Sequence, residues 1–95
     1  MNRREGDTAL ASLYRRDMTT TDRLRAAAAA RAALREGRVR ALRAEHGFSQ
    51  RELAEAVGVH ESALSRWESG ERVPRTEAAA RLALVLRALE SAEVV

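Results

Sequence analysis

Cysteine is absent from this 95-residue chain, which excludes a disulfide framework and any thiolate metal site. Aromatic side chains are scarce: Tyr14, Phe48 and Trp67 are the whole set, too few for the stacking platform that single-stranded nucleic acid or RNA requires. No apolar run exceeds five residues, as in the alanines 26–30, against the roughly 20 needed to span a bilayer. The opening MNRREGDTAL lacks the apolar stretch of a secretory signal, and Glu5, Asp7, Asp17 and Asp22 argue against a transit peptide. These absences predict a cytoplasmic protein with no membrane contact. The two histidines, His46 and His60, have no acidic cluster around them, and the glycines at 6, 37, 47, 58 and 70 form no phosphate-cradling loop. No catalytic residue, metal or cofactor is therefore expected, and an enzyme is the weakest reading.

Lysine is also missing; all 17 basic residues are arginine, and the net charge is +3. Residues 1–48 carry 11 arginines against 6 acidic residues, whereas residues 49–95 carry 6 against 8. If the chain binds a polyanion, much of the phosphate neutralisation is expected from its first half. Arginine's planar fork suits bidentate contacts to phosphate and guanine. Arginine codons in a GC-rich genome explain the missing lysine equally well. The length allows one small domain with a modest core, so a homodimer is a reasonable source of extra stability.

Residues 50–68, QRELAEAVGVHESALSRWE, read as two short helices joined at Gly58. Leu53, Ala54 and Val57 share a face of the first, and Leu64 and Trp67 share a face of the second. Gly58 supplies the positive φ that a sharp turn needs. Ala54 is small where the second helix must cross. This is the pattern of a helix-turn-helix, whose second helix is offered to DNA. Ser49 with Glu52 forms a capping box before the first helix. His60, before the second, is expected to cap it poorly, at a cost of about 1 kcal/mol.

Upstream, Leu10, Leu13 and Tyr14 predict a short amphipathic helix over about 7–17, preceded by Arg3 and Arg4. Thr21 and Asp22 read as a helix start. From there to Glu45 nearly every residue is a helix former. Gly37 leaves two readings, one continuous helix over 22–45 or a break; continuity is favoured, since one glycine costs only about 1 kcal/mol. Leu24 and Ala28, followed by Arg31, Arg35 and Arg38, suggest a narrow apolar start and a basic stripe facing phosphate or solvent. Val39 and Leu42 should enter the core, Gly47 should end the helix, and Phe48 should plug the core beside the turn. Downstream, Thr76 is expected to cap a last helix whose Leu82, Val85, Leu86 and Leu89 face inward. Leu84, Val94 and Val95 are left as surplus apolar groups.

In order and at consistent spacing, Leu42-Arg43, Gly47, Ser49-Gln50, Leu53-Ala54, Gly58-Val59, SRWESG at 65–70 and Pro74 resemble the lambda-repressor-like (Cro-type or Xre-type) helix-turn-helix family. The resemblance covers residues 38–75. It implies an all-α fold: a lambda-repressor-like helix-turn-helix bundle over residues 33–95 with an N-terminal helical extension over 1–32. It also implies an ion pair between Arg43 and Glu68, a phosphate contact from Gln50, and a loop over 69–74 lying along the DNA backbone, with Arg72 and Arg75 as its candidates. Arg51 stands exposed beside Gln50 and joins them. His60 departs from the Ser or Thr usual at its place.

With Leu64 and Trp67 inward, the opposite face of the second helix holds Glu61, Ser62, Ser65, Arg66 and Ser69. Arg66 is the candidate for guanine O6 and N7, Glu61 for a cytosine amino group, and Ser62 for a less selective contact. An acid in a first helical turn is favoured by the helix dipole without any DNA, so Glu61 carries a competing structural reading. His60 is a candidate for a phosphate or base edge. The expected partner is double-stranded DNA, read by a small phage- or bacterial-type repressor acting through operator occupancy. The alternative is an antitoxin or accessory protein that binds another protein through residues 1–32.

Overall fold

A computed structural model describes residues 18–92. The amphipathic segment expected at 7–17 lies outside them. The described chain holds five helices and no strand: α1 (Thr20–Arg35), α2 (Arg38–Glu45), α3 (Gln50–Val57), α4 (Glu61–Ser69) and α5 (Thr76–Ser91). The all-α expectation holds.

Helix α1 begins earlier than Thr21 suggested. The Thr19 hydroxyl accepts from the Asp22 amide at 3.0 Å, and Asp22 accepts from the Thr19 amide at 3.3 Å, a reciprocal capping box. The buried face of α1 is Ala27, Ala30 and Ala33, turned away from the Leu24–Ala28 line; Leu24 is 55% exposed. The reason lies across the interface. Helix α5 presents Ala79, Leu82, Val85 and Leu86, and methyl side chains on α1 let the two backbones approach closely. This α1–α5 packing is the most extensive helix pair in the fold. Helix α1 is thus part of the core.

Gly37 overturns the continuous helix. It sits at φ 75°, in the left-handed region, and donates its amide to the Leu34 carbonyl at 3.2 Å. A helix cannot pass through that conformation. The turn it makes sends Val39 into the core at 1% exposure and aims α2 at the end of α4. Gly47, at φ 76°, stops α2 as expected. Phe48 does not plug the core: it is 39% exposed and stacks on His46, ring centroids 6.1 Å apart.

Helix α3 carries the Ser49–Glu52 capping box, with bonds of 3.0 and 2.9 Å. Its far end is held by Arg81 of α5, whose Nε donates to the Val57 carbonyl at 2.9 Å. The expected cap at Thr76 is displaced by one residue. Arg75 occupies the cap position without a side-chain bond, and Thr76 is already helical. The most completely enclosed large side chains, Leu64, Leu82, Val39 and Val57, come from α4, α5, α2 and α3. One core therefore joins the helix-turn-helix to the helices around it.

Candidate nucleic-acid interface

Helix α4 is fastened by its inner face. Leu64 and Trp67 are 0% and 8% exposed. Glu61, Ser62, Ser65, Arg66 and Ser69 all face outward and are exposed. The start of the helix is better capped than a histidine promised: His60 Nδ1 accepts from the Ser62 amide at 3.0 Å. The same nitrogen lies 2.9 Å from the Ser62 hydroxyl, so both side chains are partly committed to the cap. Gly70, at φ 84°, ends the helix.

The last turn of α4 carries Glu68, whose side chain is 1% exposed. Arg43 grips it with Nε and Nη2 at 3.0 and 2.9 Å, and its Nη1 donates to the Phe48 carbonyl at 3.1 Å. Gln50 Nε2 adds a bond to Glu68 at 2.9 Å. Arg40 stands 3.7 Å away. Burial pushes the Glu68 carboxyl up, but the bonds from Arg43 and Gln50 and the charges of Arg43 and Arg40 outweigh it. The group is held below the usual carboxylate range. The hydrogen bond to Glu68 likewise raises Arg43 above the ordinary arginine value, against a smaller opposing effect of burial. This knot ties α2, α3 and α4 together and fixes the angle at which the outer face of α4 is presented. Gln50, expected at a phosphate, spends one donor here on orientation.

The remaining candidates sort by what already occupies them. Arg51 pairs loosely with Glu55 at 3.8 Å, both well exposed; such a pair is worth little and does not hold the side chain. Ser69 donates to the Arg66 carbonyl at 3.1 Å. Arg66, Arg72 and Arg75 are exposed, make no side-chain bond to a described residue, and line one shallow groove with Ala63, Val73 and Ala78. The structure therefore places Arg66 of α4 beside two cations of the following loop, none of them neutralised by a described residue. Ser62, Ser65 and Ser69 add small polar groups on the outer face of α4 that Arg66 shares.

That loop is fixed by a residue far away in the chain. Arg31 of α1 places Nε and Nη2 on the Pro74 carbonyl at 3.1 and 2.9 Å. The two residues are 43 apart in the chain, and Pro74 is buried. No local pattern marks such a contact. No cluster of three or more potential metal ligands occurs among the described residues.

The helix-turn-helix family matches residues 39–93. The chain belongs to the lambda-repressor-like (Xre-type) helix-turn-helix family, a family of DNA-binding transcription regulators. The family's span begins at Val39, two residues after the Gly37 break, so α1 lies outside it. A protein of Pyrococcus horikoshii named for an HTH-type transcriptional regulatory role is 47% identical over 45 residues, covering 47% of this chain. The chain spans 14% of that relative's length. No solved structure matches the chain significantly. Among the described residues, no helix is long and apolar enough to cross a membrane.

Proposed function

We propose that the protein is a sequence-specific, double-stranded DNA-binding transcription regulator that lays α4 in the major groove and represses by occupying its operator. The observation that carries this reading is the outer face of α4. Arg66 stands at its centre, flanked by exposed serines, with Arg72 and Arg75 beside it, and none of the three has a side-chain partner among the described residues. Arg66 takes guanine O6 and N7 through its fork. Glu61, at the start of the stripe, is suited to a cytosine amino group. Arg51, Arg72, Arg75 and the remaining donor of Gln50 neutralise phosphates and fix register, which positions the helix without specifying sequence. Ser62, Ser65, Ser69 and His60 supply the adaptable polar contacts at the margin. A homodimer reads two half-sites about one helical turn apart.

The test is selection of random duplex DNA on the purified protein at moderate salt, followed by sequencing. The expected result is an enriched inverted repeat with half-sites about ten base pairs apart. Arg66→Ala is then expected to lose about 1–3 kcal/mol of discrimination at one guanine position. No enrichment would overturn the proposal. It would favour instead an accessory or antitoxin role in which residues 1–32 bind another protein.

A further inference from the structure

The described residues of the chain's basic first half include seven arginines, and six of them are engaged. Arg23 reaches Thr20 and Arg25 approaches Asp22 at 3.8 Å. Arg31 holds the Pro74 carbonyl, and Arg38 holds Glu36 at 2.8 Å and lies 3.6 Å from Glu90. Arg40 and Arg43 surround Glu68. Arg35, in the last turn of α1, is exposed and makes no side-chain bond to a described residue. The neighbouring carboxylate that would neutralise it, Glu36, is taken by Arg38.

Arg35 is also well placed. With Arg31, Leu34, Arg72, Val73 and Pro74 it lines a groove that runs past Ser69 and Gly70, at the carboxyl end of α4. Arg72 is shared between this groove and the one holding Arg66 and Arg75. Arginines with no side-chain partner among the described residues thus stand on α4 (Arg66), on the loop that follows it (Arg72, Arg75) and at the end of α1 (Arg35), along two grooves that meet at Arg72. The one carboxylate lining the groove, Glu68, is buried and already bound by Arg43 and Gln50. The two hydrogen bonds from Arg31 to the Pro74 carbonyl clamp the loop to α1, so the backbone that carries Arg72 is held against the helix that carries Arg35.

We infer that Arg35 binds a backbone phosphate of duplex DNA, so that helix α1 carries the footprint beyond the family's own span of residues 39–93. This rests on the proposed DNA-binding reading. The contact adds affinity and not sequence preference, because a phosphate carries no base information. It is also a concrete source for the neutralisation expected from the chain's basic half.

The experiment measures the affinity of the full-length chain for the selected duplex and for a scrambled duplex of equal length, between about 50 and 200 mM salt. Each phosphate contact contributes about 0.9 to the slope of log affinity against log salt. Arg35→Ala is expected to shallow that slope by about 0.9, so that its affinity falls about 3.5-fold less than the wild type's over this fourfold range. Both duplexes should be affected alike. Arg35→Lys should restore the slope. Arg87→Ala, which removes an exposed arginine of α5 that likewise has no side-chain partner among the described residues, is the control for net charge. An Arg35→Ala slope equal to that of Arg87→Ala, with the wild type binding both duplexes and Arg66→Ala still relaxing base preference, would overturn this inference alone. A wild type that binds neither duplex would overturn the DNA-binding reading and this inference with it.

Discussion

Removing Arg43 should reverse the response of the protein to acid. In the wild type, Glu68 is 1% exposed in its side chain and accepts two bonds from Arg43 and one from Gln50. Its carboxyl is held below the usual range. The unfolded chain, in which a glutamate titrates near about 4.3, therefore binds that proton more readily. The stability contributed by Glu68 is complete above the unfolded value and is lost as pH falls through the lower folded value. In Arg43→Ala the balance changes sign. Burial, which pushes the carboxyl up, is then opposed only by Gln50 and by Arg40 at 3.7 Å, itself 61% exposed. The folded value should rise above the unfolded one, and this variant should gain stability from Glu68 as it is acidified from neutrality towards about pH 5. At pH 7 an uncompensated buried charge should cost about 3–5 kcal/mol. A domain of this size has a total stability of only about 5–15 kcal/mol, so the loss is large. Glu68→Gln keeps the volume and weakens charge-assisted bonds, with an expected cost of about 1.5–3 kcal/mol. Added to Arg43→Ala it should recover part of the loss. Urea unfolding near 15 °C, followed by the fluorescence of Trp67, the single tryptophan, measures all four proteins. The pH slope of Arg43→Ala minus that of the double variant isolates Glu68. A cost for Arg43→Ala below about 1 kcal/mol, the range of an exposed pair, would refute the reasoning. So would a pH slope matching the wild type.

Two further outcomes follow from the packing and the caps. Ala30 is 1% exposed against α5, so Ala30→Leu should overpack the α1–α5 contact and cost about 1–3 kcal/mol. Ala29→Leu, on the exposed side of α1, should stay within about 0.5 kcal/mol; equal effects in urea unfolding would show that α1 does not pack as described. His60→Ala should cost about 1 kcal/mol by removing the acceptor for the Ser62 amide, while His60→Ser should be neutral. An unchanged midpoint for His60→Ala would mean that the imidazole is not a cap.

The site was legible where its geometry is local. Leu64 and Trp67 lie one helical turn apart, so their burial dictated that Glu61, Ser62, Ser65, Arg66 and Ser69 face outward. The Ser49–Glu52 box and the turn at Gly58 depend on residues within a few positions of each other. The misreadings arose where a local preference met a distant demand. Helix propensity favoured passing through Gly37, but a straight helix would not have delivered Val39 to the core and Arg43 to Glu68. Phe48 read as core because it is large and apolar; Val39, Leu53 and Leu64 fill the core, and Phe48 lies on His46 instead.

By itself the sequence determined the two helices of the helix-turn-helix, the glycine stops at Gly47 and Gly58 and the outward face of α4, because backbone dihedrals and side-chain periodicity are set within one or two turns. Only the tertiary structure decided which charges are available. Arg31, Arg35 and Arg38 form one basic stripe along the chain, yet the first holds the Pro74 carbonyl, the last is taken by Glu36 and Glu90, and Arg35 has no side-chain partner among the described residues. It also decided that the alanine stripe of α1 is core, since its partners on α5 lie some fifty residues away. Such pairings are set by how helices pack, and their partners are brought together only when the chain closes on itself.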